Sequence, residues 1–197
     1  QDKYSTYSVT TSLELGKFFP EKAKVTIPFY YSYTKERSAP KFNPLDTDML
    51  LEDALESAAD KHEKDSIESI AVARTVSKNL SLSGVRFGIA TKRHPMPYDP
   101  ANFSFSYSHS SKHSDGQTLV YDNEDNWRGA INYSWVPVYK PLEPFKKWKT
   151  KSKYAEILKK WAFNYLPQNI SANTEMTRSY TETLERDLEN LENVNDS

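Results

Sequence analysis

The chain has 197 residues, of which 26 are basic and 27 acidic, so its formal net charge is -1. This balance argues against a protein that binds nucleic acid through general attraction to a polyanion. The absence of cysteine excludes disulfides, thiolate metal sites and cysteine nucleophiles from this sequence.

Aromatic side chains supply much of the apolar content, with 13 Tyr, 9 Phe and 4 Trp. No segment approaches the roughly 18 apolar residues that a membrane-spanning helix needs. A strand of a membrane barrel needs only about 9–11 residues, and only every second one has to be apolar. The chain begins with Gln1 and shows no secretory signal, so we expect it to be a segment of a longer protein.

The first two extended segments, residues 4–19 and 24–36, alternate between apolar and polar side chains. Successive side chains of a strand point to opposite faces. In the first segment, one predicted face holds the apolar residues Tyr7, Val9 and Leu13, and the other holds the polar residues Thr6, Ser8 and Thr10. Pro20 interrupts the pattern between the two segments, which together predict a hairpin.

The pattern changes over residues 46–66, where apolar residues fall at helical spacing within an acidic sequence. Asp46 or Thr47 is placed to cap a helix from about residue 48 to residue 64. We therefore predict an acidic helical loop insert whose charged run is a solvated face. Asp46, Asp48 and Asp53 lack the glycine and the spacing of a calcium-binding loop.

Extended spacing returns in residues 69–91 and 102–112. In the former, the apolar positions change parity at Ser83 and Gly84, which predicts a β-bulge. The latter has an aromatic face of Phe103, Phe105 and Tyr107 and a hydroxyl face of Ser104, Ser106 and Ser108. Residues 94–100 between them form a proline-rich turn, and Asp115-Gly116 is a dipeptide typical of hairpins.

The remaining extended segments are residues 124–138 and 169–180. The predicted apolar face of the former holds Ile131, Tyr133 and Trp135, and its polar face holds Arg128, Asn132 and Ser134. Between the two segments, residues 140–162 are rich in lysine and predict a basic loop insert with a short helix. The face of the last strand is only weakly apolar.

About six antiparallel strands with one aromatic face each predict an all-β fold, as a single unit over residues 1–197. Two architectures fit: half of a soluble β-sandwich, or up-and-down strands that form a sector of a large outer-membrane β-barrel with one or two helical loop inserts. Long polar runs, aromatics near strand ends and the alternation of short and long turns favour the barrel sector. In a surface-exposed sandwich that binds carbohydrate, Trp127 and Trp135 would form a stacking platform.

The sequence does not indicate an enzyme. His109 and His113 are four residues apart, but on a strand this separation is roughly 13 Å, at about 3.3 Å per residue, which is too far for one ion. There is no glycine-rich phosphate loop and no grouping of serine, histidine and aspartate. We therefore expect no catalytic residue, no cofactor and no metal ligand.

Seven segments of the chain resemble the SprA/Sov family, and they keep a consistent order over most of its length. They are LGKFFPEK (15–22), IPFYYSY (27–33), PKFNPLD (40–46), NFSFSYS (102–108), WRG (127–129), EPFK (143–146) and FNYLP (163–167). The family comprises giant cell-surface proteins of the Bacteroidetes, which form the outer-membrane translocon of the type IX secretion system and serve gliding motility. Because its members are many times longer, the resemblance implies an internal fragment. The acidic insert around residues 48–64 departs from the family pattern.

The resemblance implies a wall segment of a protein-conducting channel in the outer membrane at the cell surface, working by transport without chemistry. The nine polar residues named above for the strands (Thr6, Ser8, Thr10, Ser104, Ser106, Ser108, Arg128, Asn132 and Ser134) would face the lumen, and the nine apolar ones would face lipid. The implied partners are outer-membrane lipid, the remaining strands of the parent barrel, secreted cargo proteins and accessory proteins of the secretion system. Residues 38–66 would lie outside the cell, and the short turns and residues 140–160 in the periplasm.

Overall fold

The computed structural model describes residues 2–89, 96–138 and 167–187, and the single positions 143, 147, 154, 156, 157 and 160. The part described contains nine strands and two α-helices. These are β1 (Lys3–Glu14), β2 (Val25–Thr26), β3 (Pro28–Ala39), β4 (Phe42–Asn43), β5 (Asp46–Leu50), α1 (Leu51–Ser57), α2 (Lys61–Ala71), β6 (Ala73–Phe87), β7 (Phe103–Asp115), β8 (Leu119–Trp135) and β9 (Ile170–Glu185). Most of the predicted basic insert at 140–162 lies outside the described residues, as do the first two residues of the proline-rich turn at 94–100.

Seven of the strands form one antiparallel sheet in the order β1-β3-β6-β7-β8-β9, with β2 also paired to β6. The sheet is not closed on itself in the described part of the chain. The prediction of an antiparallel all-β fold is confirmed. Neighbours in the sheet are also neighbours along the chain, with two exceptions. The two-residue β2 lies between β1 and β3 in the chain, and the small hairpin of β4 and β5 separates β3 from β6. This is the up-and-down order expected when each strand turns back beside the previous one.

The predicted bulge lies at the change of parity in β6. The register between β6 and β7 shifts between Leu82 and Val85, and Gly84 has a φ of 67°. Glycine adopts this left-handed conformation without the steric cost that a Cβ imposes. The backbone N–H of Gly84 donates to the Ser106 hydroxyl at 3.1 Å, so the unpaired residue still has a hydrogen-bond partner. The bulge returns Val85 to the face that carries Leu82.

The first strand was predicted to end at residue 19, but it ends at Glu14. A 3₁₀ turn over Leu15–Phe18 follows it. The Glu14 carboxylate accepts hydrogen bonds from the backbone N–H groups of Gly16, at 3.0 Å, and Ile27, at 2.6 Å. It thus replaces the carbonyl partners that a continued strand would supply. Alternation of side chains cannot reveal this end, since Leu15 and Phe19 keep the apolar parity of the strand.

A close approach of two backbone segments makes Gly16 a sensitive position. A Cβ added there would lie 2.1 Å from the carbonyl oxygen of Val25. We expect Gly16→Ala to force the turn apart and to lower the free energy of unfolding by about 1–3 kcal/mol, the usual range for overpacking. The control is Gly129→Ala, where an added Cβ meets nothing within 4 Å. Urea titration of both variants checks this, and equal stability of the two would contradict it.

The insert differs from the single helix predicted over residues 48–64. Residues 46–50 instead form β5, which pairs with β4, and the helices α1 and α2 follow. Neither Asp46 nor Thr47 caps a helix: Leu50 precedes α1 without a side-chain cap, and Asp60 caps α2 by accepting from the Lys61 N–H at 2.6 Å. Pairing with β4 holds Asp46 and Leu50 in an extended hairpin, so Asp46 lies too far from either helix to cap it.

Three strands also extend further than predicted at one end. The paired segment of β7 extends to Asp115, and β8 begins at Leu119, whereas the prediction gave 102–112 and 124–138. The residues added to β7 are polar on both sides, and those added to β8 begin with the adjacent apolar residues Leu119 and Val120. Neither stretch alternates, so the pattern gives no signal there, although backbone pairing continues. Similarly, β9 reaches Glu185 rather than residue 180.

Buried apolar residues are few and lie beneath the insert. The cluster consists of Ala39, Leu51, Ala71 and Val72, with Leu55 and Ile67 packed against it. It fastens α1 and α2 to the ends of β3 and β6, from which the insert departs. Over the rest of the described sheet, large apolar side chains remain exposed on one side.

Candidate functional site: the two faces of the sheet

The register of the sheet brings the nine residues predicted for an apolar face to one side. Directly opposed residues of an antiparallel pair lie on the same face. Phe105 opposes Val85 and Ile131, for example. Following these pairs across the sheet joins Tyr7, Val9, Leu13, Phe103, Phe105, Tyr107, Ile131, Tyr133 and Trp135. We call this side the apolar face.

The nine residues predicted for a polar face share the other side. Ser104 opposes Asn132, and Ser108 opposes Arg128. The same side carries Thr6, Ser8, Thr10, Ser104, Ser106, Ser108, Arg128, Asn132 and Ser134. We call it the polar face. The register fixes which residues share a side, and the phase that each side contacts stays a prediction.

Aromatic contacts between strands hold the apolar face together. The rings of Phe103 and Tyr133 lie 5.0 Å apart between centroids, and those of Tyr7 and Tyr33 meet edge to face at 6.5 Å. These separations are typical of favourable aromatic pairs. Within the described residues no second layer packs over this face, and Ile131 near its centre remains 47% exposed.

A tryptophan lies at each end of the apolar stretch of β8. Trp127 and Trp135 enclose Ile131 and Tyr133 on the same side of the strand, and eight residues of strand span about 26 Å at ~3.3 Å per residue. Trp127 is stacked on His109 at 5.1 Å and lies under the Arg178 guanidinium at 5.7 Å. Polar residues follow on the same face beyond Trp127, beginning with Asp125.

On the other half of the sheet, the apolar face ends in cations. Tyr7 opposes Lys35 and Tyr33 opposes Lys78. Arg37 and Arg74 oppose each other in the next row toward the insert. These residues were missed by the sequence analysis, although the parity of β3 carries directly from Tyr33 to Lys35. The apolar face is therefore amphipathic along its length, with its charged end beside α1 and α2.

Side-chain hydrogen bonds link neighbouring strands on the polar face. The hydroxyls of Ser8 and Thr34 lie 3.2 Å apart, and the Asn79 amide donates to Ser32 Oγ at 3.3 Å. Such cross-strand pairs stabilise a sheet by roughly 0.2–1 kcal/mol each. A face built this way presents hydroxyl and amide groups with spare hydrogen-bonding capacity, which suits contact with water.

One ion pair stands among these neutral groups, between Arg128 on β8 and Glu175 on β9, at 2.9 Å. It adjoins the bulge of β6, where Ser83, Ser106 and Asn132 line a shallow concavity together with the pair. The arrangement offers donors and acceptors side by side. It has no nucleophile held by a base and hence no evident chemistry.

A second set of ion pairs connects the insert to the sheet. Glu68 on α2 accepts from Arg37 at 2.8 Å and also pairs with Arg74 at 3.2 Å. The hydrogen bond from Arg37 is the main reason that the pKa of Glu68 lies below its usual value. Sequence pattern gave no sign of this group, because α2 and the strands meet only in the tertiary structure.

We expect Glu68→Gln to loosen the insert by about 1 kcal/mol at neutral pH, which is the scale of a partly exposed charged hydrogen bond. In the wild type, the contribution exists above the usual glutamate pKa and disappears as the pH falls through the lowered pKa of Glu68. The variant should lack this acid dependence. Protease cleavage of the insert against pH is the measurement, with the exposed Glu56→Gln as control. Parallel pH profiles for wild type and Glu68→Gln would refute the assignment.

The histidines considered for metal binding have other neighbours. His109 Nε2 lies 3.2 Å from Asp125 Oδ1, and His113 Nδ1 is hydrogen-bonded to Asn123 Oδ1. Across the described ranges, no three side chains of His, Cys, Asp or Glu are grouped to hold a metal ion. Asp46 accepts from the N–H of Asp48 at 3.2 Å, a local turn contact.

Neither helix of the described chain has the length and apolar character needed to cross a membrane.

A family model named SprA_N and described as a motility related/secretion protein matches residues 1–55. This stretch contains β1, the hairpin turn, β3, the β4–β5 hairpin and the start of α1. No curated protein matches the chain. The chain is therefore similar to motility-related and secretion proteins through its N-terminal segment.

Proposed function

We propose that the chain is a wall segment of an outer-membrane protein-conducting channel. The match over residues 1–55 supports an SprA/Sov-family identity and favours a motility- or secretion-related protein. The observation that carries the proposal is the apolar face: nine apolar residues share one uncovered side of a continuous sheet, and nine polar residues share the other. The channel would serve type IX secretion and gliding motility at the cell surface of a member of the Bacteroidetes.

The proposed mechanism follows from the two faces. Lipid offers no hydrogen bonds, so a spanning sheet has to pair its own backbone groups and present apolar side chains outward. The six-strand ladder pairs the backbone, and the aromatic side chains of the apolar face would meet the acyl chains. The polar face would line an aqueous lumen, where hydroxyls and amides solvate a passing protein without binding it tightly. No chemical step, cofactor or metal enters this mechanism.

The open edges of the sheet suit continuation by further strands. β1 and β9 each have a neighbour on one side only within the described residues, and an unpaired edge is a template for another strand. We propose that the remaining strands of the parent barrel occupy these edges. Secreted cargo and accessory proteins of the secretion system are the further proposed partners.

Accessibility of single cysteines tests the phase assignment. We expect a fluorophore at Phe105→Cys in the full-length protein to be quenched by lipid-attached quenchers and one at Ser106→Cys by an aqueous quencher. The two positions are adjacent on β7 and differ only in the face that they occupy. Quenching of both by the aqueous reagent alone would refute the channel-wall proposal.

The sidedness is tested separately. Asp53 is exposed on α1, and the proposal puts the insert outside the cell. Whole cells that carry Asp53→Cys should react with a membrane-impermeant maleimide. No labelling in intact cells, with labelling after lysis, would reverse the proposed orientation.

The carbohydrate-binding sandwich is less well supported. A sandwich buries one face of each sheet against another sheet, and none covers the apolar face in the described residues. Trp127 is already stacked between His109 and Arg178, so it does not offer a free platform with Trp135.

A further inference from the structure

We propose that the charged end of the apolar face binds the phosphate groups of a phosphorylated glycolipid in the outer leaflet of the membrane. The inference rests on the proposed function, because it requires the apolar face to contact lipid. The site consists of Lys35 and Lys78 with their opposed tyrosines, Tyr7 and Tyr33. We call these four residues the tyrosine–lysine cluster.

The register builds this cluster from three strands. Tyr7 on β1 opposes Lys35 on β3, and Tyr33 on β3 opposes Lys78 on β6. Lys35 also opposes Val76, which is two residues from Lys78, so the lysines are diagonal neighbours whose Cα atoms are about 7–8 Å apart. Both flexible side chains therefore reach a single phosphate. The edge-to-face contact of Tyr7 and Tyr33 at 6.5 Å lies on the same side.

The two lysines differ from the other cations nearby in having no carboxylate. Arg37 and Arg74 both pair with Glu68, and Lys3 pairs with Glu52. Within the described chain neither Lys35 nor Lys78 forms an ion pair, and both side chains are exposed. Arg37 and Arg74 share the single Glu68 carboxylate, which holds them toward the insert, and the lysines are the cations without a carboxylate partner.

Charge is distributed unevenly across the sheet at this level. Lys78 opposes Ser111 on β7, which in turn opposes Asp125 on β8. Asp125 is the partner of His109. The rows of Lys35 and Lys78 on β1, β3 and β6 contain no carboxylate on this face. The cation on the far side of the sheet, Arg178 on β9, lies over the Trp127 ring instead.

The position of the cluster selects a lipid over a soluble anion. Tyrosine and lysine side chains at the edge of an apolar band are typical of the headgroup level of a membrane. On the band side of the cluster the same face continues through Val9, Leu13 and Leu80. An amphiphile with phosphate at the lysines and acyl chains along these residues uses both parts of the surface. A soluble phosphate would use the charged part only.

The leaflet follows from the insert. The cluster lies toward the ends of β3 and β6 from which β4, β5, α1 and α2 depart. The proposed function puts these elements outside the cell, so the cluster would be at the outer leaflet, whose characteristic anionic lipid is a phosphorylated glycolipid.

The test uses the full-length protein, delipidated in detergent and incubated with phosphorylated lipid A or with the same lipid after phosphatase treatment. Native mass spectrometry measures the lipid retained. We expect the wild type to retain the phosphorylated form, and Lys35→Gln with Lys78→Gln to weaken retention by about fivefold for each lysine removed. The matched control is Lys112→Gln, an exposed lysine on β7 that lies on the polar face, which should retain lipid like the wild type.

Equal retention by the double variant and the wild type would overturn the proposal, as would equal retention of the dephosphorylated lipid. Competition by inorganic phosphate as effective as that by lipid A would also overturn it, because the site would then recognise a soluble anion. In each of these outcomes the protein would still need detergent to stay soluble, so the proposed function would stand and only the lipid site would be refuted. Wild-type protein that stays soluble without detergent and retains neither lipid would instead refute the proposed function itself.

Discussion

Replacing Ile131 with arginine is expected to lower the free energy of unfolding in a bilayer by about 2–4 kcal/mol, the range for a cation placed near the membrane midplane on the lipid face of a barrel. Ile131 lies on the apolar face, opposite Phe105 and between the positions of Trp127 and Trp135 on β8. An arginine there would lose its hydration without gaining a carboxylate on the adjacent strands. Urea titration of the full-length protein in lipid vesicles measures the effect.

The neighbouring residue supplies the control. Ala130→Arg adds the same side chain one residue earlier in β8, where it points to the polar face and opposes Ser106 and Glu175. If the polar face contacts water, this variant should stay within about 1 kcal/mol of the wild type. Equal destabilisation by the two variants would contradict a lipid contact confined to one face. A larger effect at Ala130 would invert the assignment of the faces.

The second large effect is expected at Leu51. This side chain is 5% exposed and belongs to the buried cluster with Ala39, Ala71 and Val72. We expect Leu51→Ala to destabilise the packed insert by about 2–5 kcal/mol, because truncation removes apolar contact and leaves a cavity. The insert has few other buried apolar side chains, so α1 and α2 should detach from the sheet.

Limited proteolysis of the full-length protein distinguishes this local effect from global unfolding. Cleavage between residues 46 and 71 should accelerate in Leu51→Ala, whereas the strands keep their protection. Leu45→Ala is the control, because Leu45 is 46% exposed in the β4–β5 loop. Loss of protection throughout the sheet would show that the insert is needed to hold the strands together. Cleavage unchanged from the wild type would show that Leu51 does not anchor the insert.

The exposed apolar face is the feature of this protein that most needs a physical explanation. A soluble monomer rarely exposes a continuous apolar patch larger than a few hundred square ångströms. Tyr7, Phe105 and Ile131 are all more than a third exposed and share one side of the sheet. The proposed contact with lipid would remove such a surface from water without requiring a second protein layer, and a small buried cluster at the insert would then suffice.

The alternation of side chains predicts the two faces, since a strand has a period of two and one face of this sheet differs in chemistry from the other. It predicted the aromatic and hydroxyl sides of β7. The change of parity at Ser83 and Gly84 also predicted the bulge in β6. Alternation failed where both sides have the same character, as at the polar end of β7 and at Leu119 and Val120 at the start of β8. It also failed where the chain makes a local exception, as at Glu14, whose carboxylate ends β1.

The sequence by itself therefore determined which side chains share a face, because that depends only on position along a strand. The tertiary structure alone decided which strands lie side by side. Only this pairing brings Lys35 next to Lys78, across more than forty residues of chain, and joins Arg37, Arg74 and Glu68 at the insert. The physical reason is that backbone pairing between strands is nearly independent of side chain, so neighbours across the sheet leave no local pattern.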